Sequence, residues 1–165
     1  MTKLIGEELS DELYQRLRGE DLEQYAEKVI LISTVDENGW PHPAVLSYLE
    51  VVAKDRRNIR LATYKHSGTT NNMRRRGKAT LSIIDERLVY YVKGSVEELS
   101  EEMTCAPHNA KLNMRVEQVL ADQANKQLEA GAYVASGVMY KNSNLAAEIL
   151  VGKEILAELL SDHPA

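Results

Sequence analysis

The sequence has no phenylalanine, one tryptophan and one cysteine, and each scarcity narrows the reading. With Cys105 alone, no intrachain disulfide can form, which fits a reducing compartment. No apolar run is long enough to cross a bilayer, and the opening MTKLIGEELSDELYQ holds no apolar core of signal-peptide type. The expectation is a soluble, cytoplasmic protein with no membrane partner. A surplus of positive charge is also missing: 20 Lys and Arg stand against 25 Asp and Glu, a net charge of −5. A dedicated nucleic-acid binder usually shows a basic excess or a long basic face, so no nucleic-acid partner is expected. No spacing of His, Cys, Asp or Glu reads as a metal site. Eight tyrosines take the place of phenylalanine, burying rings while their hydroxyls keep a polar contact. That suits an interface or a cavity wall, or simply an aliphatic core with tyrosines by chance.

What is present fits one domain of 165 residues, 44% hydrophobic and 27% charged. Residues 7–24 have leucines at helical spacing, interrupted at Gly19. The period then changes. KVILISTV (28–35) reads as a buried strand, DENG (36–39) as a hairpin turn with positive φ at Asn38 and Gly39, and 40–53 as a returning strand. Pro41 and Pro43 place the start of that strand at an edge or a bulge. IRLATY (59–64) is a third strand, 67–77 a short helix, and 78–85 with 88–96 a hairpin across Glu86-Arg87. Residues 97–114 read as polar helix or loop, 114–122 as a strand, 124–131 as a turn or short helix, 132–140 as a last strand and 145–160 as a C-terminal helix. Strands joined mostly by hairpins predict a mainly β fold, an antiparallel barrel or sandwich with flanking helices.

The stretch ATYKHSGTTNNMRRRGKATLSI (62–83) concentrates the chemistry. Ser67 is a helix cap candidate and Gly77 a helix end. The first turn carries free backbone N–H groups at the positive end of the helix dipole, with hydroxyls at Ser67, Thr69 and Thr70 and the ammonium of Lys65 close in sequence. This is the donor set of a phosphate site. It is equally the make-up of a well-capped surface helix. Arg74, Arg75 and Arg76 fall in the last turn, about 15 Å from the start of a ten-residue helix, where cations complement the dipole.

TVDENGWPHPAVLSY, a strand, and then ATYKHSGTTNNMRRRGKATLSI together resemble the pyridoxamine 5′-phosphate oxidase-like family of flavin-binding split barrels. The matching pattern is Ser67, Thr69, Asn72, Met73, Arg74 and Arg75 after a short strand. The resemblance covers residues 25–95 well and continues more weakly to 140. It implies a six-stranded antiparallel split barrel that forms a homodimer with FMN at the subunit interface. It further implies that His42, Pro43, Ala44, Val45, Leu46 and Ser47 lie along the flavin ring and that Ala62 and Thr63 line the ribityl side. Ser67, Gly68 and Thr69 take the phosphate, with Lys65 and Asn72 nearby. The activity implied is oxidoreduction of a small molecule, with a nicotinamide donor as one option. A non-catalytic flavin or haem module of the same fold is the alternative. Many members carry lysine where Thr69 stands, and the chain ends ILAELLSDHPA without the family's C-terminal substrate segment. A true pyridoxamine phosphate oxidase is therefore not expected. No residue is singled out as catalytic. His42 is either an acid/base beside the ring or a turn residue, and Cys105 with His108 is a weak nucleophilic pair lacking a third group.

Overall fold

A computed structural model of the chain describes residues 1–125 and 127–162. Lys126, within the turn expected over 124–131, and the last three residues of the SDHPA tail lie outside the described residues. The order is β1 (Thr2–Gly6), α1 (Asp11–Leu17), α2 (Leu22–Tyr25), β2 (Val29–Val35), β3 (Pro41–Ser47), β4 (Val51–Ala53), β5 (Asn58–Tyr64), α3 (Gly68–Arg76), β6 (Lys78–Asp85), β7 (Leu88–Ser100), β8 (Asn109–Asp122) and α4 (Leu145–Leu160). The strands form one antiparallel sheet in the order β3-β2-β6-β7-β8-β5-β4, and β1 also pairs with β8. The fold is a split barrel, a curled sheet with few helices.

Several elements differ from the sequence reading. Eight strands are present among the described residues, not six. The run over 40–53 divides because Glu50 turns back on Ser47: its Oε2 accepts from Ser47 N–H and Oγ–H at 2.8 and 2.9 Å. β3 then pairs with β2, and β4 with β5. Residues 97–100 and 109–113, expected as helix or loop, are the arms of β7 and β8, paired Glu97 with Asn113 and Ser100 with Lys111. Residues 132–140 form no strand; an isolated bridge from Met139 to Lys28 ties them across the start of β2. The span 7–24 holds two short helices, and β1 precedes them. In the β2–β3 turn only Gly39 takes positive φ (85°), because the Asp36 carboxylate holds the N–H groups of Asn38 and Trp40 and the turn closes from Asp36 to Trp40.

The core has two compartments. Inside the barrel, Leu9, Leu13 and Leu17 meet Ile30, Ile32, Ile59, Leu61, Leu81 and Leu112. Outside β4 and β5, Val52, Leu49 and Ala62 meet Ile155, Leu156 and Leu159 of α4. This explains why Val51, Val52 and Ala53 read as an unbroken apolar run: residues 51 and 53 face the barrel and residue 52 faces α4. Lys111, 4% exposed, closes the far end of α4 by donating Nζ to the carbonyls of Glu158 (2.6 Å) and Ser161 (2.8 Å). Burial pushes its pKa down, and the charge of Arg60 adds to that. Lys111→Met keeps the buried stem and removes the donor. Thermal unfolding is expected to show a loss of about 2 kcal/mol, roughly 5 °C.

Candidate functional site

α3 begins where β5 ends, and its start is organised by three hydroxyls. Ser67 caps the helix in extended conformation, its Oγ accepting from Thr70 N–H at 3.2 Å. Thr70 Oγ1 donates its one hydrogen to the carbonyl of Tyr64 (2.8 Å). It must therefore accept from Thr63 (2.6 Å) and Ser67 (3.0 Å). The Ser67 hydrogen is thus committed inside the protein. The N–H groups of Gly68 and Thr69 have no acceptor among the described residues, so they are the free donors at this helix start. Gly77 ends the helix with φ 63° and donates to Met73 O at 2.8 Å.

β3 runs along the sheet edge, where Pro41 and Pro43 are tolerated because no outer partner needs their missing N–H. Its burial alternates: Pro41, Pro43 and Val45 face out, while His42 and Ala44 are half-buried and Leu46 is buried. His42 reaches the start of α3. A methyl group built on Gly68 would stand 3.3 Å from both Cε1 and Nε2 of the imidazole. From His42 to Ser47 the strand advances about 17 Å. At its far end lies a cavity of about 530 Å³ between β3 and α4, lined among others by Val45, Leu46, Ser47, Glu50, Tyr64 and His108. That volume is in the range of small-molecule sites.

The residues singled out from sequence therefore fall into groups. His42, Ser67 and Gly68 gather at the helix start, and Val45, Leu46 and Ser47 border the cavity. Ala62 and Thr63 do not form a wall: Ala62 is fully buried against α4 and Thr63 under the Thr70 hydroxyl. Thr69 is buried, leaving its main chain as its contribution. Asn72 is buried and donates to Thr34 Oγ1 at 3.0 Å, anchoring α3 to β2. Lys65 pairs with Glu102 of the β7–β8 connection. Arg75 and Arg76 reach away from the helix start, whereas Arg74 also donates Nη1 to the Lys65 carbonyl beside it at 2.6 Å. Arg74 pairs with Glu98, Arg75 with Glu37 at 3.1 Å, and Arg76 donates to the carbonyls of Asp36 (2.9 Å) and Glu37 (3.3 Å). They fasten α3 to β7 and to the β2–β3 turn.

The sequence reading missed Glu50, Tyr64, Tyr140, Glu148 and the α4 wall. Glu50 carried one signal, a carboxylate inside an apolar run. Burial raises its pKa; the Ser47 hydrogen bonds pull it down and the charge of Glu148 lifts it further. Among the described residues no group of three or more His, Cys, Asp or Glu is placed to hold a metal, and no helix is long and apolar enough to cross a membrane.

Among the described residues His108 gains no orienting hydrogen-bond partner, and Cys105 sits against the Glu158 carboxylate. The Cys105 thiol is pushed up to about 11, first by burial and then by its hydrogen bond and charge interaction with Glu158. Such a thiol is protonated at neutral pH and a poor nucleophile. Cys105 is expected to alkylate with iodoacetamide at pH 7.5 more slowly than free cysteine despite its exposure, with rates followed by mass spectrometry.

The antiparallel split barrel, with a helix start and a cavity at the two ends of one edge strand, places the chain in the class of split-barrel proteins. It belongs to the pyridoxamine 5′-phosphate oxidase family, whose model matches residues 19–133. The uncharacterized protein YclD of Bacillus subtilis (strain 168) is 35% identical over 99 residues, 60% of this chain and 58% of YclD. The match thus spans less than two thirds of that relative's length. Among solved structures, HupZ of Group A Streptococcus superposes with TM-score 0.54 at 16% identity over 81% of this chain and 99% of that one. An FMN-binding protein from Syntrophomonas wolfei gives 0.52 at 19% identity over 69% and 88%. At these identities the two structures speak for the fold alone.

Proposed function

We propose that the chain binds FMN as a cytoplasmic homodimer and serves as an FMN-dependent oxidoreductase acting on a small molecule other than pyridoxamine phosphate. The observation that carries this reading is the arrangement along β3: two free N–H groups and an imidazole at one end, and a flavin-sized cavity at the other. The N–H groups of Gly68 and Thr69, backed by the dipole of α3, hold the phosphate. His42 supplies a further donor there. Gly68 has no side chain to fill the space in front of the imidazole. The edge strand turns unpaired main-chain groups outward beside Ala44, Val45 and Leu46, ready for the polar rim of the ring. When bound, FMN supplies the hydride or electron chemistry, with a reduced nicotinamide as donor. Val45, Tyr64 and Tyr140, which are 55%, 68% and 65% exposed, are the apolar surface that a second copy covers.

The test is to purify the protein, add FMN and record the visible spectrum after desalting, then add NADH or NADPH without oxygen. A flavin spectrum that bleaches supports the reading, and a protein that takes up no FMN overturns it. One observation favours a second reading, a binding module without turnover: His108 borders the cavity, and its imidazole is a side chain that would hold a haem iron. A Soret band on adding haem, lost in His108→Ala, with no FMN uptake, supports that reading instead.

A further inference from the structure

We propose that the outer face of the sheet, where β7, β8 and the start of β5 lie side by side, holds a second ligand site, selective for a small zwitterion of the amino-acid class. Its ammonium goes to Asn113 and Glu97, and its carboxylate to Arg115. The inference is independent of the FMN reading, since this cleft of about 590 Å³ shares no lining residue with the cavity between β3 and α4.

The strand period sets the face. Leu112, Met114 and Val116 belong to the barrel core, so Asn113 and Arg115 stand together outside, about 7 Å apart along β8. On the β7 side Arg115 pairs with Ser95 and Asn113 with Glu97, between register shifts at Lys93–Gly94 and Glu98–Ser100. On the β5 side Arg115 pairs with Asn58. Arg60, opposite Asn113, turns its guanidinium to Asp162 at 3.7 Å. Asn113 is only 7% exposed, and its amide orientation is forced. Asn58 Nδ2 donates to both oxygens of Asp55 at 3.0 Å, which turns Asn58 Oδ1 toward Asn113. Asn113 Nδ2 therefore donates to Asn58 Oδ1 (3.2 Å) and to Glu97 Oε1 (3.3 Å). Its own Oδ1 is enclosed and has no donor among the described residues. A buried acceptor without a donor is costly, and a ligand N–H that reaches it removes that cost.

The charges around it are of both signs. Arg115 is exposed and forms no ion pair among the described residues, while Arg57 beside it is shared with Glu8 at 3.2 Å. Glu97 is exposed and likewise without an ion pair among the described residues, as are Glu7 and Glu117 of the adjoining cleft. A simple anion meets these carboxylates, and a simple cation meets the guanidiniums. A molecule carrying both charges a few ångströms apart complements both. Glu97 and Arg115 are the exposed side chains that swing aside to admit its ammonium to Asn113 Oδ1.

Heteronuclear NMR on the full chain, with and without FMN, tests this through the side-chain amide of Asn113 and the backbone N–H of Ser95. The probes are L-alanine, N-acetyl-L-alanine, L-alanine methyl ester and inorganic phosphate. L-Alanine is expected to shift both signals at millimolar concentration, and each capped form to bind at least tenfold more weakly. Arg115→Gln, at an exposed position, is expected to weaken L-alanine about tenfold while leaving the melting temperature and FMN affinity unchanged. Asn113→Leu, followed at Ser95, is expected to abolish binding. The proposal is overturned by the absence of any shift with L-alanine, by equal affinity for the capped forms, by phosphate binding as tightly as L-alanine, or by an affinity that Arg115→Gln leaves unmoved. The same selectivity in protein that takes up no FMN removes the flavin reading and keeps this site.

Discussion

Replacing Asp85 with alanine is expected to lower the melting temperature by roughly 10 °C, the largest stability loss from any single polar side chain here. Asp85 sits at the end of β6, 7% exposed, and receives both the Arg16 guanidinium from α1 and the Lys28 ammonium from the start of β2. Arg16 also donates Nε to Tyr48 OH at 2.7 Å and lies over the Tyr25 ring, 4.5 Å from its centroid. One carboxylate therefore joins α1, β2 and the β6–β7 turn. Without it, two cations face each other with little water to screen them. Breaking a buried pair in this way costs about 3–5 kcal/mol, and a domain of this size loses roughly 2–4 °C per kcal/mol. Burial by itself would raise the Asp85 pKa, but hydrogen bonds from Lys28 and Arg16 outweigh it and hold the carboxyl far below the ordinary range. A folded pKa below the unfolded one stabilises fully above about pH 4, and that stabilisation is lost as pH falls toward the folded value. Wild-type melting temperature should therefore fall steeply below pH 4, and that of Asp85→Ala less so. Parallel acid profiles would show that the cluster contributes little.

Gly68→Leu is expected to weaken FMN binding by roughly a hundredfold with little change in melting temperature. The backbone at Gly68 does not take positive φ, so the substitution carries no conformational strain, and leucine is a better helix former than glycine. What it changes is space. Its Cβ stands 3.3 Å from the His42 ring, and the larger side chain is expected to crowd the approach to the free N–H groups of Gly68 and Thr69. Hydrogen bonds to a charged group contribute about 1.5–3 kcal/mol each, so losing one or two reaches that hundredfold. Gly68→Ala, which adds only the first carbon, should cost much less. Ser67→Ala separates cap from ligand: with its hydrogen already given to Thr70, it should lower stability by about 1 kcal/mol and leave FMN affinity nearly unchanged. Fluorescence titration of FMN against the three variants distinguishes these outcomes. Unchanged affinity in Gly68→Leu would remove the phosphate from this helix start.

The parts of the fold legible in the sequence are those whose cause is local. The helix after Ser67 is read from a cap and a terminal glycine a few residues apart. The β6–β7 hairpin is read from two alternating runs around Glu86-Arg87, where Arg87 takes φ 57°. The edge position of β3 is read from two prolines. The arms of β7 and β8 were not legible, because their polar residues give no period and are held as strand by pairing with each other and, for β8, with β5. The opposite error befell residues 132–140, which alternate like a strand but have just one bridge as partner. The split at Ser47–Glu50 was hidden because an apolar run says that residues are buried, not against which neighbour.

The same division runs through the site. By itself the sequence determined the family's strand–turn–helix order, the placing of a glycine at the start of α3, and the placing of the arginines in its last turn, since all follow from spacing along one chain. Only the tertiary structure decided that the Ser67 hydrogen is already used, that Ala62, Thr63 and Asn72 lie behind the surface, and that two carboxylates from distant segments border one cavity. Glu50 and Glu148 are 98 positions apart in sequence. They share that cavity because α4 packs its apolar face on β4 and β5, and no local pattern encodes which sheet face a helix will cover.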